Sequence, residues 1–304
     1  MPANALKKTS LHGISQTTSQ MLPVLSILLG ASLWGVIWYP LRLLEAGGFS
    51  GVWLTLTLYA TALVASLPFT YRALPEFVRR PWLLLALMLA AGWTNIAFVE
   101  AVLQGNILRV LLLFYLSPLW AVLMGWIVLR ERLSRSALIG LLIAMSGALT
   151  MLWNYEVGVP WPHGAADWLA LSAGFAFALS NVLVRKLDDI SVTAKSMSVW
   201  AGVVLVAVPL ILLLGSDAPS ITHATFTGAV ALGLFGILVM TVLVQYGVTH
   251  MPVHRSAVLA LIELVAGALS QQLLTDEVVS VREWVGGVLI LTGAWLSARH
   301  SLSG

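Results

Sequence analysis

Long apolar runs, each about as long as a bilayer is thick, alternate along this chain with short polar breaks. A helix needs ~20 predominantly apolar residues to cross the hydrocarbon core. By that rule the pattern predicts ten spans, at 22–44, 52–71, 82–103, 107–129, 134–153, 166–186, 196–215, 226–248, 253–274 and 281–299. The breaks are abrupt: Gly47-Gly48 follows the first run, and Pro75 to Pro81 marks the second. The longest connection, Asn154 to Ala165, carries Pro160, Pro162 and Gly164 and separates two halves of five spans. Residues 1–21 are polar, with Lys7 and Lys8, and lead straight into a full-length span. They read as a disordered cytoplasmic tail, not as a cleaved signal segment.

The two halves resemble each other. Moving along the chain by 146 residues (255 − 109) carries Arg109 onto Arg255, Glu131 onto Glu277 and Ser134 onto Ser280. The same step carries Gly140 onto Gly286 and Gly147 onto Gly293. The first spans of the halves also match, at a step of 143 (185 − 42), through Arg42 with Arg185 and Trp34 with Phe177. A repeat with an odd number of spans places its two copies in opposite directions across the bilayer. The expectation is therefore an all-α integral membrane protein with two inverted five-helix repeats, 22–153 and 166–299.

Composition strengthens this reading. Apolar residues make up 59% of the chain and charged residues 10%, against about 25% charge in average soluble usage. Formal charge is only +3 and no long basic run exists, so nucleic-acid binding has no support. The absence of cysteine removes disulfides and thiolate chemistry. Of the 16 Lys and Arg residues, a ten-span topology puts only Arg42, Arg109 and Arg282 outside. The excess on the other side predicts both termini in the cytoplasm and residence in the inner (plasma) membrane.

Particular residues carry a family likeness. Leu33-Trp34-Gly35 lies in the first span, Ser117-Pro118 in the fourth, and Leu129-Arg130-Glu131-Arg132-Leu133 is followed by Gly140. In the second half Glu263, Asp276-Glu277 and Gly286 repeat part of the same signature. The chain in this respect resembles the drug/metabolite transporter superfamily, specifically its EamA-type members. Where that pattern places proline after an acid, one copy here keeps Ser117-Pro118 and the other Glu263-Leu264, so each holds half of it. The resemblance implies a secondary transporter, commonly an exporter of amino acids, metabolites or toxic compounds, with a cavity between its halves. It also implies that the end spans form a scaffold or a homodimer contact.

Candidate site residues follow from depth. An ionised side chain at mid-bilayer costs at least ~2.5–3.5 kcal/mol, so acids inside spans are candidates by default. Glu263 lies near the middle of its span, and Glu100 lies near the outer end of the third, within snorkelling reach of water. Arg109 opens the fourth span at the outer mouth, where it can anchor at the interface, capture a carboxylate or pair with Glu100. Asn95 and Asn181 fall well inside spans and can line a cavity or join helices. Trp34, Trp38, Trp93 and Tyr115 lie deeper than an interfacial belt explains. They either pack the core or form a wall for an aromatic or cationic solute. No phosphate-binding glycine loop precedes a Lys-Ser/Thr pair, so transport must draw on a gradient. Protons are the expected coupling ion and Glu263 their carrier.

The rival class is an integral-membrane enzyme acting on a lipid or small molecule. It needs a nucleophile–base pair or a metal cluster, and the six histidines lie in tails, loops or span ends without metal-ligand spacing. The sequence therefore predicts no catalytic residue, no metal and no cofactor. The partners it predicts are a small-molecule substrate, protons and the lipid bilayer.

Overall fold

A computed structural model describes residues 21–49, 51–153, 161–275 and 278–299. Nine of their helices are long and apolar enough to cross a membrane. In chain order they are α1 (Met21–Ala46), α2 (Gly51–Val78), α3 (Pro81–Val102), α4 (Arg109–Leu129), α5 (Arg135–Leu152), α6 (Ala165–Lys186), α7 (Val192–Leu214), α8 (His223–His250) and α9 (Val253–Leu274). A further helix, α10 (Val281–Arg299), is more polar, with Arg282, Glu283 and Arg299. The tail 1–20 and the part of the central loop at 154–160 lie outside the described residues, as do Asp276 and Glu277.

Side-chain caps set many helix starts by accepting one of the amide protons that a helix N-terminus leaves unpaired. Ser134 caps α5, Ser191 caps α7 and Thr222 caps α8. One of these explains where an apolar run misleads. The run for α7 begins after Lys195, but the helix starts at Val192, on its Ser191 cap. Lys195 is fully buried and its Nζ donates to Thr249 Oγ1 at 3.2 Å. A charge that hydropathy treats as a boundary is thus folded into the helix by a partner on α8. The second span likewise runs on beyond residue 71, because Tyr71–Val78 continues it as a tighter helical turn containing Pro75.

Large apolar side chains project outward along the bundle, including Leu25 and Leu29 of α1, Leu212 and Leu213 of α7 and Phe235 of α8. So large an apolar exterior suits hydrocarbon. Inside, Tyr59, Ala62, Trp200 and Val203 belong to one buried cluster that joins α2 to α7. Helix α3 packs against both α6 and α7.

Helices α5 and α10 pack along their lengths, and their glycines meet in a reciprocal pattern. A Cβ on Gly147 would lie 2.6 Å from Gly286 O, and one on Gly140 3.1 Å from Gly293 O. Bare glycine faces permit this backbone approach. The small-residue faces expected to make a scaffold or homodimer contact are therefore occupied within the chain. A step of 146 residues turns Gly140–Gly293 into Gly286–Gly147 (140 + 146 = 286; 293 − 146 = 147), so the contact maps onto itself when the halves are exchanged.

Candidate functional site

Two transmembrane helices are interrupted at corresponding points. Helix α4, whose helical turn reaches back two residues beyond the apolar span, consists of Ile107–Phe114 and Ser117–Leu129, with the break at Tyr115 and Leu116. Pro118 accounts for it, since proline lacks the amide proton that would satisfy the carbonyl of Phe114. Helix α9 consists of Val253–Ala260 and Ile262–Leu274, with the break at Leu261. Leu264 stands where proline would be, yet the helix still tightens there: Leu261 N donates to Val258 O and Leu264 N to Leu261 O, three residues back. The breaks are 146 residues apart (261 − 115), the spacing of the sequence repeat.

Helices α6 and α1 press against these breaks. A Cβ on Gly174 of α6 would lie 2.6 Å from Phe114 O, and one on Gly35 of α1 would collide with Glu263 O. Glycine at each position lets backbone approach backbone beside the interruption.

Between the breaks lies a small cavity of about 20 Å³, little more than the room one water needs. Phe114, Tyr115 and Ser117 line it from α4, and Ala260, Leu261 and Glu263 from α9. Those are three pairs related by the repeat: 114 with 260, 115 with 261 and 117 with 263. Phe177 and Asn181 of α6 complete the polar and aromatic part of the wall. Phe114 contacts the rings of Tyr115 and Phe177, with centroids 5.5 and 5.6 Å apart. The Tyr115 hydroxyl and the Glu263 carboxyl are neighbours in the cavity wall. Among the described residues no cation pairs with Glu263, and the cavity lining contains no Lys or Arg.

The structure thus brings Glu263, Asn181 and Tyr115 to one place and puts the other candidates elsewhere. Asn95 accepts from Tyr59 Oη at 2.6 Å and donates to Ala91 O. Trp34 packs against the apolar cluster of α2 and α7. Trp38 Nε1 donates to Ser270 Oγ at 2.9 Å, and Arg42 sits over its ring. Trp93, an exposed side chain, donates to Ser172 of α6. At the cavity the aromatic wall is made of Phe114, Tyr115 and Phe177, not of these tryptophans.

The outer pair is also different from the expected one. Arg109 Nε lies 2.7 Å from Asp167 Oδ2, both side chains are mostly buried, and the guanidinium also donates to the Trp161 carbonyl. Glu100, by contrast, accepts from Gln104 one turn along its own helix. Asp167 additionally accepts from His163 N at 2.9 Å. At the opposite end Glu131 gathers three elements. It accepts from Val253 N at 2.9 Å and lies 3.6 Å from Arg185 and 3.5 Å from His254. Charged contacts therefore tie α4 to α6 at both ends of the bundle, and α9 to α4 at the arginine-rich end.

The pattern of the EamA-like transporter family matches the chain twice, over residues 21–153 and 164–299. The chain belongs to this family. It is a multi-pass membrane transporter of the drug/metabolite transporter superfamily. Among its relatives, a probable amino-acid metabolite efflux pump of Salmonella typhimurium is 27% identical over 255 residues, 77% of this chain and 84% of that one. An uncharacterized transporter of Archaeoglobus fulgidus is 25% identical over 238 residues, 78% and 83% of the two chains. A solved crystal structure at 18% identity superposes with a TM-score of 0.72, over 93% of this chain and 98% of its own. The fold is shared at that distance.

Phe114, Ser117, Phe177 and Asp167 are not among the site residues that depth in the spans picks out. Two signals were present for the lining residues: Ser117 is the repeat mate of Glu263, and Phe177 was already matched with Trp34. Asp167 gives no such signal. It stands second in its apolar run and looks interfacial, and its partner is 58 residues away.

Proposed function

We propose that this EamA-family chain is a secondary active exporter of a small organic solute, an amino acid or an aromatic or cationic compound. Protons drive it through Glu263. The observation that carries the reading is a carboxyl at the break of α9, on the wall between the two interrupted helices, with a tyrosine hydroxyl and, among the described residues, no cation beside it. Such a group can take a proton in one access state and give it up in the other. The relatives named as amino-acid metabolite efflux pumps support the solute class. The self-mapping α5–α10 contact and the matched breaks support two inverted halves of five spans, with the working cavity between them. The charge asymmetry supports cytoplasmic termini.

The test is transport by purified protein in liposomes. Glu263→Gln removes the titrating group and keeps the shape of the side chain. Proton-driven accumulation of a labelled amino acid is expected to fall at least tenfold in this variant, while exchange of labelled for unlabelled solute continues. Accumulation at the wild-type rate would make Glu263 structural.

A further inference from the structure

A second cavity exceeds the central one in volume. A space of about 250 Å³ opens at the arginine-rich end, lined by Arg132 and Ser134 of the α4–α5 turn, Ala137 of α5, Pro252, His254 and Arg255 at the start of α9, and Leu296 and Ser297 of α10. Its lining contains two guanidinium groups and an imidazole, and no carboxylate. Arg255 is half-buried and gives its Nε proton to Ser297 O at 2.6 Å. No described carboxylate lies within ion-pair distance of Arg255 or Arg132. His254 Nδ1 is buried and makes no hydrogen bond with any described residue, Glu131 Oε2 being 3.5 Å off. The start of α5 adds the positive end of a helix dipole beside Ala137. A guanidinium withdrawn from water without a counter-charge is costly. A planar fork of donors facing an open cavity is shaped for a bidentate oxyanion.

We propose that this cavity is an oxyanion-docking site, taking a carboxylate or phosphate group on Arg255, with Arg132 and His254 as further donors. It leads toward the transport cavity. His254, Ala257 and Leu261 fall on one face of α9 at helical spacing, and the last two line the central space. An acidic or zwitterionic solute held here by its carboxylate would sit at the head of that face. A lipid phosphate presents the same chemistry at this depth. The site depends on neither the proton-carrying role of Glu263 nor the orientation of the chain in the membrane.

Full-length protein is tested against both sources. In neutral detergent, sodium acetate and sodium phosphate are titrated against chloride at matched ionic strength and followed by tryptophan fluorescence. In nanodiscs, phosphatidylcholine is compared with a phosphatidylcholine and phosphatidylglycerol mixture, and bound lipid is counted by native mass spectrometry. Wild type is expected to show one saturable site in at least one arm. The soluble anions identify a solute site and phosphatidylglycerol a lipid site. Arg255→Gln should weaken that binding at least tenfold. Because Arg255→Gln also breaks a contact to α10, Arg132→Gln provides a second variant: this exposed side chain has no described ion pair, and its loss should weaken binding several-fold in folded protein. Arg135→Gln, exposed and outside the lining, should bind as wild type. The proposal fails if neither arm saturates, if Arg132→Gln binds as wild type, or if Arg135→Gln loses as much as Arg255→Gln.

Discussion

Glu263 and Asp167 show two fates for a carboxylate in an apolar bundle. Glu263 faces a cavity with a neutral hydroxyl and amide for company. Asp167 is spent on structure, held between Arg109 and the His163 amide. Removing one partner of a mostly buried ion pair strands the other charge, at a cost of about 3–5 kcal/mol. Asp167→Ala is therefore expected to lower the thermal unfolding midpoint in detergent markedly. Glu100→Gln should leave it nearly unchanged, because among the described residues Glu100 bonds only to a neighbouring amide on its own helix. Equal loss in both variants would assign the outer pairing wrongly.

At the scale of elements, backbone contact at glycine holds α5 to α10, and paired loops hold the arginine-rich end. Gly147→Leu forces a side chain into the carbonyl of Gly286. Overpacking of this kind typically costs 1–3 kcal/mol. The variant should melt earlier and yield less folded protein, while a change at Leu142, an exposed position of the same helix, should do neither. Between α6 and α7, Asp189 accepts from Arg80 Nε at 3.0 Å. That guanidinium holds the exposed carboxyl below its usual range. A carboxyl with a lowered folded value lends stability at neutral pH and loses it as the pH falls through that value. Its contribution at the surface is small. Carbonyl NMR should find Asp189 titrating below 3.8 in the native protein, and rising toward it in Arg80→Gln.

For the whole molecule, the reading with most at stake is its direction across the membrane. The chain has no cysteine, so a single one introduced at position 158 reports on one loop alone. With both termini in the cytoplasm, the loop between the halves is external, and Gly158→Cys should react with an impermeant thiol reagent on intact cells. Reaction only after lysis would reverse the orientation. Under that topology the ion pair of Arg109 with Asp167 lies at the outer mouth and the cluster around Glu131 at the inner one. Alternating access would then have to loosen the two ends in turn.

Much of this architecture is written in local chemistry. Hydrophobic length located nine spans among the described residues, because lipid demands that every span satisfy its own backbone hydrogen bonds, though it cut short the end of α2 and the start of α7. The 146-residue repeat relates the breaks at Tyr115 and Leu261, which the apolar runs themselves do not mark, and depth in the span made Glu263 a candidate alongside Glu100, Asn95 and Asn181. The motifs Leu33-Trp34-Gly35, Ser117-Pro118 and Leu129-Arg130-Glu131-Arg132-Leu133 carried the likeness to EamA-type members. What the sequence withheld was lateral: which face of a helix meets which neighbour. An apolar exterior makes lipid-facing and core positions equally hydrophobic, so Trp34, Trp38 and Trp93 looked like cavity residues and Phe114 and Phe177 did not. The pairing of Arg109 with Asp167, the burial of Lys195 against Thr249, and the convergence of Arg132, His254 and Arg255 on one cavity each join distant segments. Only packing in three dimensions decides such contacts, because their free energy depends on water excluded by residues far away in the chain.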